Sequence, residues 1–128
     1  MEFYAFANQP LSDQQLQQQL TPEQLPQFCD SIVRCVAFGS DWGEYETVWG
    51  LFKITIEPIR GGVRLSMPSC PNALSWSITT GLPPEPEQTV IHATILRQEH
   101  DPDFIESLED FVVEWQEGLE SDQTAPSA

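Results

Sequence analysis

The chain has 128 residues, 40% of them apolar, including seven Phe and four Trp. That length suffices for one domain with a substantial apolar core and is too short to predict two. Twenty Asp and Glu against five Lys and Arg give a net charge of -15, which disfavours direct binding to nucleic acid or to an anionic membrane. We predict a single α+β domain over residues 1–120 and a disordered tail over residues 121–128.

The N-terminal residues and the number of cysteines bear on the cellular localisation of the protein. The N-terminus has neither a basic n-region nor a long apolar h-region. No window reaches the roughly eighteen apolar residues of a membrane span. Three cysteines do not make a closed disulfide framework. These features predict a cytoplasmic protein that does not enter a membrane.

The N-terminal third predicts an edge strand followed by helices. Residues 2–7 are a short apolar stretch typical of an edge strand. Ser12 has the spacing of a capping box and begins a first helix. Thr21 repeats this signal and predicts a second helix, kinked at Pro26, that ends near Gly39.

An antiparallel meander of four or five strands follows the helices. From residue 45 the apolar residues fall mainly at even positions, with Trp49 and Leu51 as exceptions, which predicts one long strand over 45–60, bent at Gly50. A hairpin turn at residues 61–62 sets Arg60 opposite Val63. The two remaining strands are residues 73–80 and 89–97.

The last predicted element is an amphipathic helix over residues 102–117, packed on one face of the sheet. Asp101 is its cap and Gly118 its stop. Its apolar residues share one face: Phe104, Ile105, Leu108, Phe111, Val112 and Trp115. The other face carries a row of carboxylates about 20 Å long: Asp103, Glu106, Asp110, Glu114 and Glu117. No Lys or Arg offsets their repulsion, so we predict that they bind a basic patch on another protein.

No combination of residues predicts catalysis or a metal site. The thiol and imidazole groups lack zinc-binding spacings: Cys29, Cys35, Cys70, His92 and His100. We therefore predict that the protein is not an enzyme and uses no cofactor. His92 is predicted to be a hydrogen-bonded core residue. Trp42, which the sequence places in a loop, is a candidate anchor for a partner and alternatively docks into the core.

These expectations favour a non-catalytic protein-binding module, such as an adaptor, a chaperone-like factor or an inhibitor. The order helix, meander, helix is similar to that of small acidic secretion chaperones, without a shared motif. One alternative is a small-ligand-binding or enzymatic domain with a pocket between sheet and helix, using His92 or Cys70. A second is a nucleic-acid mimic, which would need another acidic element because one helical row is far less dense in charge than DNA. The row also suits a face kept soluble by charge, and a homodimer is compatible with the sequence.

Overall fold

The computed structural model describes residues 1–8, 11–82, 86–96 and 101–124, the last four of them by their backbone. His100 and residues 125–128 of the predicted tail lie outside these ranges. The strands are β1 (Glu2–Ala7), β2 (Ile32–Phe38), β3 (Trp42–Thr47), β4 (Gly50–Ile59), β5 (Gly62–Ser66), β6 (Ser75–Thr80) and β7 (Thr89–Thr94). The helices are α1 (Asp13–Gln19), a 3₁₀ turn (Pro22–Gln24), α2 (Leu25–Phe28) and α3 (Pro102–Thr124).

The seven strands form one antiparallel sheet in the order β1-β7-β6-β5-β4-β3-β2. Strands β2 to β7 are a meander in which each pairs with the next, whereas β1 pairs with the last strand, β7. The α+β class, the antiparallel sheet and the packed C-terminal helix are therefore confirmed. The predicted count of four or five strands is wrong, because one strand was assigned to a helix and one hairpin to a single strand.

Strand β2 is the segment that the sequence assigned to a helix. The capping box predicted at Ser12 is present, but Thr21 makes no capping hydrogen bond through its side chain. After Pro26, helix α2 lasts only to Phe28. The residues of β2 are rich in β-branched and aromatic side chains, which suit a pleated strand, and they pair with β3. Pairing with a neighbouring strand thus outweighs the local helix signal.

The predicted long strand over 45–60 is in fact a hairpin. Strands β3 and β4 are joined by a tight turn at Val48 and Trp49, with Thr47 paired to Gly50. The Thr47 hydroxyl donates to the Gly50 carbonyl oxygen at 2.7 Å and accepts from the Trp49 N–H at 3.1 Å. The φ of Gly50 is 126°, a value that glycine adopts without steric cost. The buried positions change from odd numbers in β3, such as Tyr45, to even numbers in β4, such as Ile54. In the sequence this change shows only as a departure from alternation at Trp49 and Leu51, which fits a bend as well as a reversal of the chain.

The hairpin between β4 and β5 is confirmed, but its register is not the predicted one. Ile59 pairs with Gly62, so Arg60 and Gly61 form the turn, and Arg60 does not lie opposite Val63. Gly61 has a φ of 86°, as a type II turn requires at its third residue. The apolar faces match in both registers, because the two differ by an even number of positions.

Helix α3 lies over β1 and β7 and is longer than predicted. The Asp101 carboxylate caps it by accepting the Asp103 N–H at 2.8 Å. Gly118 does not end the helix, which continues to Thr124. Instead, α3 passes α2 at this point, and a Cβ on Gly118 would lie 1.9 Å from the Phe28 carbonyl oxygen. Glycine is therefore needed here for close packing rather than for a turn.

The core lies on one face of the sheet, beneath the helices. Trp76 of β6 packs edge-on against Phe111 of α3 with ring centroids 4.9 Å apart, and Trp115 lies 6.3 Å from Trp76. All three rings are buried. Neither indole N–H has a hydrogen-bond partner within the described part of the chain, so apolar contact holds the centre of this interface. In the same ranges the other face of the sheet carries no helix.

Candidate partner-binding surface

One apolar stripe holds α3 on the sheet and fixes which of its faces is turned outward. Its fully buried members are Leu108, Phe111, Val112, Trp115 and Leu119. They recur every three or four residues, as one face of a helix requires. This is the predicted stripe, extended by Leu119 beyond the predicted end of the helix. The acidic side of the helix is consequently turned to solvent.

Five exposed carboxylates lie on the outward side of α3, and we call them the acidic face: Asp103, Glu106, Glu109, Asp110 and Glu117. Two contacts in the described residues bring a carboxylate next to a basic side chain: Arg34 forms an ion pair with Glu46, and the His92 imidazole lies beside Glu2. No carboxylate of the acidic face is therefore paired with a cation in the described ranges. The Lys and Arg side chains of these ranges all belong to the sheet and one of its turns: Arg34, Lys53, Arg60 and Arg64. The acids of α3 and these bases thus belong to different elements of the fold.

Glu114 is the member of the predicted row that turns inward. It is half-buried, and its carboxylate accepts the backbone N–H of Ser31 at 2.8 Å and the thiol of Cys29 at 3.4 Å. Burial, and then the Glu114 charge, raise the pKa of the Cys29 thiol well above its ordinary value. Glu114 therefore ties α3 to the segment that precedes β2. No sequence pattern indicates this contact, because the residues that bind Glu114 are more than eighty positions away along the chain.

A groove lies where α3 meets the edge strand β1, and the sequence did not predict it. We call it the β1 groove; its volume is about 370 Å³ and it is lined by Glu2, Phe3, Tyr4, Glu109, Val112 and Val113. Val113 is 43% exposed and supplies apolar surface, and Glu2 and Glu109 supply carboxylates. Apolar surface with charged groups around it is common at protein interfaces. The sequence signal that could have indicated this groove is Glu109, whose position on the helical wheel is next to the predicted row.

Trp42 does not lie in a loop, as predicted, but at the first position of β3. It is half-buried, and its indole fills the space where a side chain on Gly39 would stand. The Lys53 ammonium lies 5.2 Å from the ring centroid, which is an attractive cation–π arrangement. Five strand spacings separate β3 from β1, about 24 Å at the ordinary distance between strands. The structure therefore does not bring Trp42 together with the acidic face.

His92 is half-buried on the helix-free face rather than in the core. Its ring stacks on Tyr4 with centroids 4.3 Å apart, and its Nε2 lies 2.8 Å from Glu2 Oε1. The predicted hydrogen bond is thus present. His92 also borders a shallow depression of about 310 Å³, walled by Arg64 and by short hydroxyl side chains such as Ser77. This depression is on the opposite side of the sheet from the pocket predicted between sheet and helix.

An apolar pocket of about 290 Å³ does lie between the sheet and the beginning of α3. Its main lining residues are Trp49, Phe52, Met67, Cys70, Leu74 and Phe104. The Trp49 indole N–H donates to the Ser107 hydroxyl at 3.0 Å and fixes one wall. Cys70, but not His92, is therefore at the position that the alternative ligand-binding function named.

Neither a metal centre nor a relative identifies the protein. Within the described residues, no three His, Cys, Asp or Glu side chains are grouped so that they could hold a metal ion. No helix in those ranges has the length and apolar character needed to cross a bilayer. No protein-family model matches the sequence, and neither a curated protein nor a solved structure shows significant similarity to the chain.

Proposed function

We propose that this protein is a non-catalytic protein-binding module that engages a basic segment of another protein through the acidic face of α3. The observation that carries this proposal is the set of five exposed carboxylates that no Lys or Arg of the described ranges pairs with. Like charges three or four residues apart destabilise a helix by about 0.2–0.5 kcal/mol each. A basic partner would turn this repulsion into attraction, which would raise the rate of encounter and favour basic partners over acidic ones.

Affinity capture from the native cell extract at low and high salt tests the proposal. We expect partners with basic segments to be retained at low salt and lost at high salt, because screening weakens exposed charge pairs. The double variant Asp110→Lys/Glu117→Lys should lose them at low salt as well. Its matched control is Glu23→Lys/Glu87→Lys, which changes the net charge equally at two exposed sites outside α3. The proposal would be contradicted if both variants lost the partners equally, or if the amount of partner captured did not depend on the salt concentration.

A second candidate function, binding of a small apolar ligand, is supported by the pocket that Cys70 lines. Its volume of about 290 Å³ is at the lower limit of ordinary ligand sites, and it supports binding without assigning a reaction. Titration with small aromatic compounds, followed by NMR, tests it. Saturable shifts are expected for the amides of Cys70 and of Asn72, which also lines the pocket, and their absence would exclude this function.

A nucleic-acid mimic is the less favoured alternative. The acidic face spans residues 103–117 with one carboxylate per roughly 5 Å of helix axis, whereas double-stranded DNA carries one charge per roughly 1.7 Å. A mimic should compete with DNA for a DNA-binding protein. If the captured partners bind DNA equally well with this protein present, mimicry is ruled out.

A further inference from the structure

The two edges of the sheet differ in how well they can accept another strand. Strand β2 is interrupted by register shifts between Ile32 and Arg34 and between Cys35 and Ala37, and such bulges hinder pairing along an edge. Strand β1 pairs with β7 without interruption over all its residues. The outer edge of β1 is therefore the one that can take a straight, extended chain.

Hydrogen bonding shows which backbone groups of β1 point outward. Met1 and Ile95 exchange both of their backbone hydrogen bonds, each 3.1 Å long. In an antiparallel pair such doubly bonded residues alternate with residues that point away, so the N–H and C=O groups of Glu2, Tyr4 and Phe6 face outward. No strand lies on that side in the described ranges. With respect to the described part of the chain, these groups form a template for another strand.

Helix α3 forms a wall beside this template. Asn8, the next residue of the outward-pointing set, donates its N–H to the Glu120 carboxylate at 3.0 Å. Glu109 lies further along the same side of α3. Val112 and Val113 lie between the Glu109 and Glu120 carboxylates. The wall is thus acidic at both ends, with exposed apolar surface at Val113 between them.

We propose that the basic segment of the partner binds in the β1 groove as an extended chain and adds an eighth strand to the sheet. This inference rests on the proposed binding of a basic partner to α3. Backbone hydrogen bonds to Glu2, Tyr4 and Phe6 supply affinity, and side chains supply specificity. Alternate side chains of a strand point to the same face. Those directed at α3 are basic near Glu109 and Glu120 and apolar near the two valines.

A second copy of this chain fits the template less well than a basic segment. Pairing β1 with β1 around a two-fold axis would place the two copies of α3, each with its acidic face, side by side on the same face of the joined sheet. Charges of the same sign in that arrangement repel each other. The charge of the groove therefore selects a partner of opposite sign.

Two isomeric peptides test whether an extended backbone is recognised. Both have the sequence Thr-Lys-Thr-Val-Thr-Lys-Thr; one is N-methylated at the two lysines and the other at the two inner threonines. Their charge and composition are equal, but in a strand their methyl groups point to opposite edges. We expect their dissociation constants to differ by roughly tenfold or more, since only one isomer keeps the N–H groups that face β1. Equal dissociation constants would overturn the proposal.

Amide hydrogen exchange with the unmethylated peptide locates the site. The amides of Tyr4 and Phe6 should exchange at least roughly tenfold more slowly at saturation, whereas those of Phe3 and Ala5, already paired with β7, serve as internal controls. If the peptide binds and α3 amides shift while Tyr4 and Phe6 do not respond, the added strand is refuted and the binding function stands. If the peptide does not bind at low salt, the added strand is refuted. The capture experiment alone then tests whether the protein binds a basic partner. If exchange of these amides slows with rising protein concentration in the absence of peptide, the proposal is refuted, because a second copy of the chain then pairs with β1.

Discussion

Replacing Gly118 with alanine tests whether two backbones approach closely between α3 and α2. In an isolated helix this change stabilises by about 1 kcal/mol, because alanine is the better helix former. Here the new methyl carbon would lie 1.9 Å from the Phe28 carbonyl oxygen and 2.6 Å from its carbonyl carbon. Cβ atoms almost never come closer than 3.0 Å to another atom. The two helices would therefore have to separate by at least about 1.1 Å, the difference between 3.0 and 1.9 Å.

Two costs oppose the gain in helix propensity. Overpacking a core costs about 1–3 kcal/mol, and the upper part of that range applies because the obstacle is backbone, which cannot rotate away. Moving α3 outward also stretches the hydrogen bond from the Ser31 N–H to Glu114, one turn before Gly118; bonds to charged groups contribute about 1.5–3 kcal/mol. We expect a net loss of about 3 kcal/mol, which lowers the melting temperature by roughly 10–15 °C for a domain of this size.

Urea unfolding of the wild type and of Gly118→Ala measures this loss. The matched control is Glu117→Ala, which alters an exposed neighbour on the same helix and should change the free energy of unfolding by less than about 0.5 kcal/mol. A Gly118→Ala protein as stable as the wild type, or more stable, would refute the close approach. It would mean that helix propensity alone decides the outcome.

Three further predictions follow from the contacts of buried groups. Glu114→Ala should lower the free energy of unfolding by about 1–2 kcal/mol, whereas Glu117→Ala should leave it nearly unchanged; equal losses in urea unfolding would contradict the inward role of Glu114. At pH 8 a thiol reagent should label Cys29 at least roughly tenfold more slowly than Cys70, because Cys29 is buried beside a carboxylate; mass spectrometry of the labelled peptides measures both rates, and similar rates would be the opposing result. Burial raises the pKa of Tyr45 above its ordinary 10.0, so the folded chain keeps a proton that the unfolded chain releases above about pH 10. The free energy of unfolding should then fall by up to about 1.4 kcal/mol per pH unit above that pH, and Tyr45→Phe should remove this part of the slope, so an unchanged slope would disprove it.

Much of the C-terminal half could be predicted because its signals are local. The Asp101 cap, the apolar stripe ending at Trp115 and the alternation of β6 each depend on neighbours within a few residues. Such spacings are fixed by the geometry of one helix or one strand. The sequence therefore indicated these elements and the face that each one buries.

The N-terminal half was harder, because local signals there conflict with tertiary pairing. Thr21 resembles a helix cap, yet the chain soon enters β2, which gains its hydrogen bonds from β3. Val48 and Trp49 are not typical turn residues, and the departure from alternation at Trp49 fits a bend in one strand as well as a reversal of the chain. The local pattern of this segment therefore does not distinguish one bent strand from a hairpin.

The amino-acid sequence by itself determined the charge of the chain and the faces of α3. It could not determine that Glu114 binds Ser31, or that β1 returns to pair with β7 and forms a groove with Glu109. Periodicity specifies which side chains share a face within one element, since it reports on the geometry of that element alone. Contacts between residues about a hundred positions apart depend on the order of strands in the sheet, which is set by packing of the whole chain. The acidic helix could therefore be predicted from the sequence, whereas the surface that it forms with β1 was decided only by the tertiary structure.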